Sequence, residues 1–287
     1  MIDPLDKRLN AYRSDLADIA LQDKVKADRY AAGDVRVVTQ PVLDLHVDPD
    51  PASEIGTQAL LGEIVRVFDE ADGMSWIQLD DDRYVGYAKS HALAPEGPKT
   101  SHIVRAPRTF IYSDADLRSP VRAACSMGSR ILPVETRTTR GTDYFVLSDG
   151  SAVIADHVAP LADVAPDYVA VAAQLLLAPY LWGGTSAFGL DCSGLVRLSM
   201  AMCGRLVPRD TDMQAAALGE EIDCGDDFTQ LRRGDLLFWK GHVAIAEDNR
   251  MAIHASGHSM QVVREPVQDA IGRIARFYGK PICARRP

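Results

Sequence analysis

Short apolar runs rich in Val, Ile and Tyr, cut by Asp, Gly and Pro, fill the chain from Val35 to about Leu161. Such runs read as β-strands separated by turns. Residues 35–38, 41–47, 63–68, 75–79 and 84–88 form one set of predicted strands, with Asp80-Asp81-Asp82 as a turn. A second set follows at 103–104, 109–112, 130–134, 144–147 and 152–154, with Ser148-Asp149-Gly150 in the place of the acidic turn. The shared order of the two sets suggests a duplicated small β domain. Residues 1–30 form a separate arm, where Leu16, Ile19 and Ala20 have helical spacing.

After Pro166 the pattern changes to helices and then to alternating strands. Pro166-Asp167 opens an apolar helix running to about residue 178, and residues 192–202 form a second that Gly204 stops. Thr211-x-x-Gln214 reads as a capping box for a short third helix. Residues 236–239, 242–247, 251–254 and 261–264 alternate like neighbouring antiparallel strands. The chain therefore divides into an arm at 1–30, β domains at 31–95 and 96–164, and an α+β domain at 165–287.

Composition narrows the partners. The 287 residues, 47% of them apolar, suffice for two or three cores. A net charge of -9 argues against nucleic acid or an anionic membrane as principal partner. The charged, proline-broken start lacks a secretory signal's apolar core, and no run approaches the roughly 20 apolar residues of a membrane span. A cytoplasmic location is therefore expected. The five scattered cysteines contain no C-x-x-C pair, so neither a disulfide framework, a metal site nor a cofactor is expected.

Cys192 stands apart from the other cysteines because a glycine-bearing loop leads through it into an apolar helix. The unpartnered N–H groups of a helix start favour a thiolate there. His242 and His254, on adjacent predicted strands, could meet and form a relay. A strand histidine is more often an ordinary polar residue; the constellation of all three is what points to nucleophilic catalysis.

These segments, together with Tyr180-Leu181-Trp182-Gly183-Gly184, Leu190-Asp191-Cys192-Ser193-Gly194-Leu195-Val196, Pro208-Arg209-Asp210-Thr211, Arg233-Gly234-Asp235-Leu236-Leu237-Phe238, Gly241-His242-Val243-Ala244-Ile245 and Ile253-His254-Ala255, resemble the NlpC/p60 family over about residues 165–285. Leu60-Leu61-Gly62-Glu63, Trp76 and Tyr84-Val85-Gly86-Tyr87 look like a bacterial SH3-like barrel. The resemblance implies an α+β fold, with a papain-like peptidase domain preceded by two small SH3-like barrels. It further implies Cys192 as nucleophile, His242 as acid and base, His254 as its orienting partner and Tyr180 beside the oxyanion.

The substrate implied is a peptidoglycan stem peptide, cut between γ-D-glutamate and a diamino acid, with no cofactor. A barrel that narrows the cleft would restrict entry to peptides with a free N-terminal L-alanine, as in wall recycling. Asp191, Ser193, Trp182, Asp210, Thr211, Glu63, Tyr84 and Tyr87 are the candidate substrate contacts. Several have plainer readings: Asp191 as a helix cap, Arg209 and Asp210 as an ion pair, Trp182, Tyr84 and Tyr87 as core, and Glu63 as a solvated turn carboxylate. Two other functions stay open, a wall-fragment binding protein with a vestigial peptidase domain and a related thiol amidase or acyltransferase.

Overall fold

The structure is a computed structural model and describes residues 5–225 and 228–287. It divides into two compact units, Met1–Ala162 and Asp163–Pro287. Among the described residues no helix is long and apolar enough to cross a membrane, and all five cysteines are free.

The first unit contains a seven-stranded antiparallel sheet. Its order runs Ile55–Leu60, Val42–His46, Val85–Lys89, Met74–Leu79, Ile64–Ala71, Asp34–Val38 and Leu93–Pro95. Inward residues alternate along these strands, so Leu43, Leu45, Val65, Ile77, Leu79 and Tyr84 meet in one core. Two strands escape the apolar pattern, Ile55–Leu60 because Gly56, Thr57 and Gln58 dilute it, and Leu93–Pro95 because it is so short. The hydrogen-bonded order ends at two edges, so the expected closed barrel is here an open sheet.

The following segment repeats these pairings across two sheets. Asp34–Val38 pairs with Ile64–Ala71 and Leu93–Pro95, just as His102–Val104 pairs with Arg130–Ile131 and Val158–Pro160. Val42–His46 pairs with Ile55–Leu60 and Val85–Lys89, as Arg108–Tyr112 does with Val121–Ser126 and Ala152–Ile154. A short 3-10 turn precedes the last strand in each case, at Ser90–Ala92 and Ala155–His157.

The arm is not helical where its spacing suggested. Leu16–Asp18 pairs in parallel with Arg29–Ala31, and only Ile19–Leu21 turns, as a 3-10 element that Asp18 caps through the Ala20 N–H at 3.0 Å. Leu16 and Ala11 are buried against Phe68 and Trp76, so packing onto the sheet overrides local periodicity.

In the second unit, α1 (Tyr168–Gln174), α2 (Cys192–Ala201), α3 (Thr211–Ala217) and α4 (Val267–Tyr278) accompany a six-stranded sheet. The sheet order is Glu220–Ile222, Cys283–Arg286, Leu236–Trp239, His242–Ala246, Met251–Ser256 and Gln261–Pro266. Helix α1 stops earlier than its apolar run, and Leu177 takes a positive φ of 67°. Helix α4 places Val267, Ala270 and Ile274 against Leu237, Trp239, Ala244, Ala246 and Ala252. That spacing, one residue in three or four, is the apolar stripe of a surface helix.

Candidate active site

Cys192 is the first residue of α2, and Asp191 caps the helix by accepting the Gly194 N–H at 2.7 Å. A close approach holds this turn in place. A side chain at Gly194 would strike the Gly184 carbonyl, and one at Gly184 would strike Gly189, which gives Gly183-Gly184 a packing role beside the nucleophile. The Cys192 Sγ lies 3.9 Å from the Gly241 carbonyl, and the Val243 backbone N–H also bonds it. The thiol thus rests against the chain on both sides of His242.

The histidine relay is formed by strand register. Ile245 pairs with Ile253 and Ala246 with Ala252, so His242 and His254 lie diagonally on one face. His242 Nε2 and His254 Nδ1 are 2.8 Å apart, and the rings meet edge-on. His254 is 1% exposed, and its Nε2 lies 2.5 Å from Glu265 Oε1. Arg273 of α4 also binds Glu265 Oε1. Neither Glu265 nor Arg273 is signalled by the sequence motifs.

Burial sets the resting charge. It pushes the Cys192 thiol up to about 12, with the Asp191 carboxylate adding to the effect. It pushes His242 down to about 3, with the nearby Arg273 charge, and that of His254 whenever it is protonated, acting in the same direction. Both shifts favour the uncharged forms at rest, against the thiolate that the helix start led one to expect. Tyr180 is also raised by burial and then by Cys192 and Asp191. An isolated β-bridge between Tyr180 and Leu190 brings Tyr180 alongside the residues that lead into Cys192.

Asp191 has more partners than a cap requires. Its Oδ1 accepts from Arg209 at 3.0 Å and Ser193 Oγ at 3.2 Å, while Oδ2 accepts from Arg209 at 2.5 Å and the Gly183 N–H at 3.0 Å. Arg209 also donates to Ser193 Oγ at 2.8 Å. Arg209 thus forms a buried ion pair with Asp191, and the Asp210 charge acts on it as well. Asp210 is the N-cap residue of α3, without a side-chain cap bond, and Thr211 begins that helix. Gln214 closes no capping box; its amide reaches the carbonyls of Pro208 at 2.8 Å and Ser193 at 3.1 Å.

The remaining candidates divide by burial. Trp182 is 60% exposed, which removes the core reading. Tyr84 belongs to the β core, in line with its plainer reading, whereas Glu63 is buried and is not the solvated turn carboxylate considered above. Tyr87 is half-buried and lines a cavity of ≈ 340 Å³ with Trp76 and Arg13 in the first unit.

Similarity to known proteins agrees with this geometry. The NlpC/P60 family model matches residues 178–273, and a bacterial dipeptidyl-peptidase Sh3 domain matches 45–93. A γ-D-glutamyl-L-lysine dipeptidyl-peptidase of Bacillus subtilis (strain 168) is 30% identical over 224 residues, covering 71% of this chain and 68% of that protein. The chain belongs to the NlpC/P60 family. Dipeptidyl-peptidase 6 of Lysinibacillus sphaericus is 24% identical over 77% of this chain and 87% of its own length. The crystal structure of an NlpC/P60 family protein from Bacillus cereus ATCC 10987 has the same fold, with a TM-score of 0.72 at 21% identity over 88% of this chain and 99% of that one. The chain is thus an NlpC/P60-type peptidoglycan hydrolase with an SH3 domain.

Proposed function

We propose that this NlpC/P60 hydrolase cuts the amide between γ-D-glutamate and the diamino acid of free L-Ala-γ-D-Glu-diamino acid peptides, a step in recycling wall fragments. The observation that carries the chemistry is the His242–His254 bond beside the thiol at the head of α2. The dipeptidyl-peptidase relatives support the substrate class. The cytoplasmic expectation fits it, because free wall peptides are what would reach an enzyme there.

The reaction follows from proton positions. Cys192 attacks the γ-carbonyl carbon while its proton passes to Nδ1 of His242, the nitrogen that His254 leaves open. The oxyanion formed is held by the Cys192 N–H and the Tyr180 hydroxyl. His242 then protonates the departing amine, the C–N bond breaks, and a thioester remains. Water then gives a proton to His242 and attacks the thioester carbonyl, the C–S bond breaks to release L-Ala-D-Glu, and His242 returns the proton to the Cys192 sulfur.

Asp191 and Ser193 are assigned to the L-alanine ammonium because they adjoin Cys192. Arg209 partly neutralises Asp191, so that contact is weaker than one to a lone carboxylate. Trp182, Asp210 and Thr211 are assigned to further substrate contacts. Residues 96–164 are read as a second SH3-like β domain on the strength of the repeated pairings.

The test is mass spectrometry of L-Ala-γ-D-Glu-diamino acid peptides, carrying meso-diaminopimelate or L-lysine, with free or acetylated amines. Wild-type protein should release L-Ala-D-Glu from the free-amine peptides, and Cys192→Ala should release none. Equal cleavage of the acetylated form would remove the ammonium assignment, and cleavage of neither would overturn the substrate class.

A further inference from the structure

We infer that Glu265 is a positioning residue for catalysis, fixing through His254 which nitrogen of His242 carries the proton, and that Arg273 anchors it from α4. This rests on the thiol-peptidase reading above, but it concerns proton placement rather than substrate. The register puts Glu265 opposite Ala252 and Val263 opposite His254. Glu265 therefore shares a sheet face with His254 and with Ala252, which packs in the core beneath α4. The carboxylate thus lies at the far end of the relay from the thiol.

The direction of each bond follows from what each group can do. Burial would raise the Glu265 carboxyl, but the bonds from His254 and Arg273, with the Arg273 charge, hold it below the usual carboxylate range. An ionised carboxylate only accepts, so His254 Nε2 must be the donor. In neutral His254, Nδ1 is then the acceptor, and it takes the proton on His242 Nε2. That leaves His242 Nδ1 bare, as the base must be. A neutral amide at position 265 can instead donate to His254 Nε2. The order then reverses, and His242 holds its proton on the nitrogen needed for the thiol. A carboxylate also stabilises the imidazolium formed when the thiol proton moves. The titratable and charged groups set along this chain are Cys192 from α2, His242 and His254 from the sheet, and Arg273 from α4.

The experiment needs no peptide substrate. Iodoacetamide alkylates Cys192 as the S–C bond forms, iodide leaves and the thiol proton passes to His242. The rate at Cys192 is followed against pH by mass mapping, which separates it from the other four cysteines. Glu265→Gln should slow it about 10–100-fold near neutral pH, as loss of an outer hydrogen-bonding partner generally does. Its acid limb should also move to lower pH, because imidazolium loses its anion. Leaving Arg273 without a partner could by itself disturb the fold, so the double variant Glu265→Gln/Arg273→Met is measured beside it. Low reactivity in both variants supports the proposal. Wild-type reactivity in Glu265→Gln, or its recovery in the double variant, overturns it. Peptide cleavage that fails while this pattern holds would count against the substrate reading alone.

Discussion

Arg137 and Asp114, in the first unit, pair with 44% and 65% of their side chains exposed, whereas Arg209 and Asp191, at the head of α2, pair with 1% and 10% exposed. The first pair sits in water, which screens it and weakens it. The second has lost its water and is held by hydrogen bonds on both carboxylate oxygens. Desolvating two charges is costly, and their attraction offsets that cost only where the remaining polar atoms are also satisfied. The Arg137–Asp114 pair can stay in water because nothing depends on its position, while the head of α2 buries charge where the nucleophile must be held.

The sharpest way to break this contrast is to remove the reacting atom and leave its frame. Cys192→Ala should lower peptide cleavage by at least about 10⁴-fold while the thermal midpoint stays close to wild type, since only one sulfur atom is lost. Activity assays paired with thermal melts check both halves. A large fall in the midpoint would mean that the thiol is mainly a packing group.

Next in size is the buried pair. Arg209→Met should destabilise the protein by about 3–5 kcal/mol, because Asp191 would remain buried without its cation. Urea unfolding followed in the catalytic unit would show it, and a loss below about 1 kcal/mol would contradict the contrast drawn here.

The pH profile comes third. His242 works as a neutral base, and its acid form is suppressed until about pH 3. At pH 5 an imidazole of ordinary pKa, about 6.5, would be only about 3% neutral, a loss of roughly 30-fold. Cleavage at pH 5 should instead stay close to its value at neutrality, with circular dichroism confirming that the fold persists. An acid limb near pH 6.5 would show that His242 is better hydrated than this structure has it. The smallest effect belongs to the exposed pair: Arg137→Ala should change stability by at most about 1 kcal/mol in the same urea experiment.

Much of the catalytic unit was legible because its chemistry and its folding use the same residues. Asp191 and Cys192 announce both a helix start and a nucleophile, and the alternation through His242 and His254 fixes the face on which they meet. Glu265 escaped because it looks like any polar residue on the outward face of an edge strand. Only the packing of α4, through Val267, Ala270 and Ile274, covers that face and brings Arg273 to it. For Arg209 the sequence offers an ion pair with its neighbour Asp210 as one reading, but shows nothing of the hydrogen-bonded pair with Asp191, 18 residues away. Such pairings depend on how helices dock, which local pattern does not encode. In the arm, Leu16, Ile19 and Ala20 suggested one helix, but packing onto the sheet holds Leu16 in a strand and leaves Ile19 and Ala20 in a single 3-10 turn.

The most direct measurement is the intact mass of wild-type protein quenched in acid during turnover of the free-amine L-Ala-γ-D-Glu-diamino acid peptide, with the adduct then mapped by proteolysis. The account predicts an L-Ala-γ-D-Glu acyl group joined as a thioester to Cys192, absent from Cys192→Ala. Peptide cleavage that persists in Cys192→Ala, or an acyl group on another residue, would contradict it.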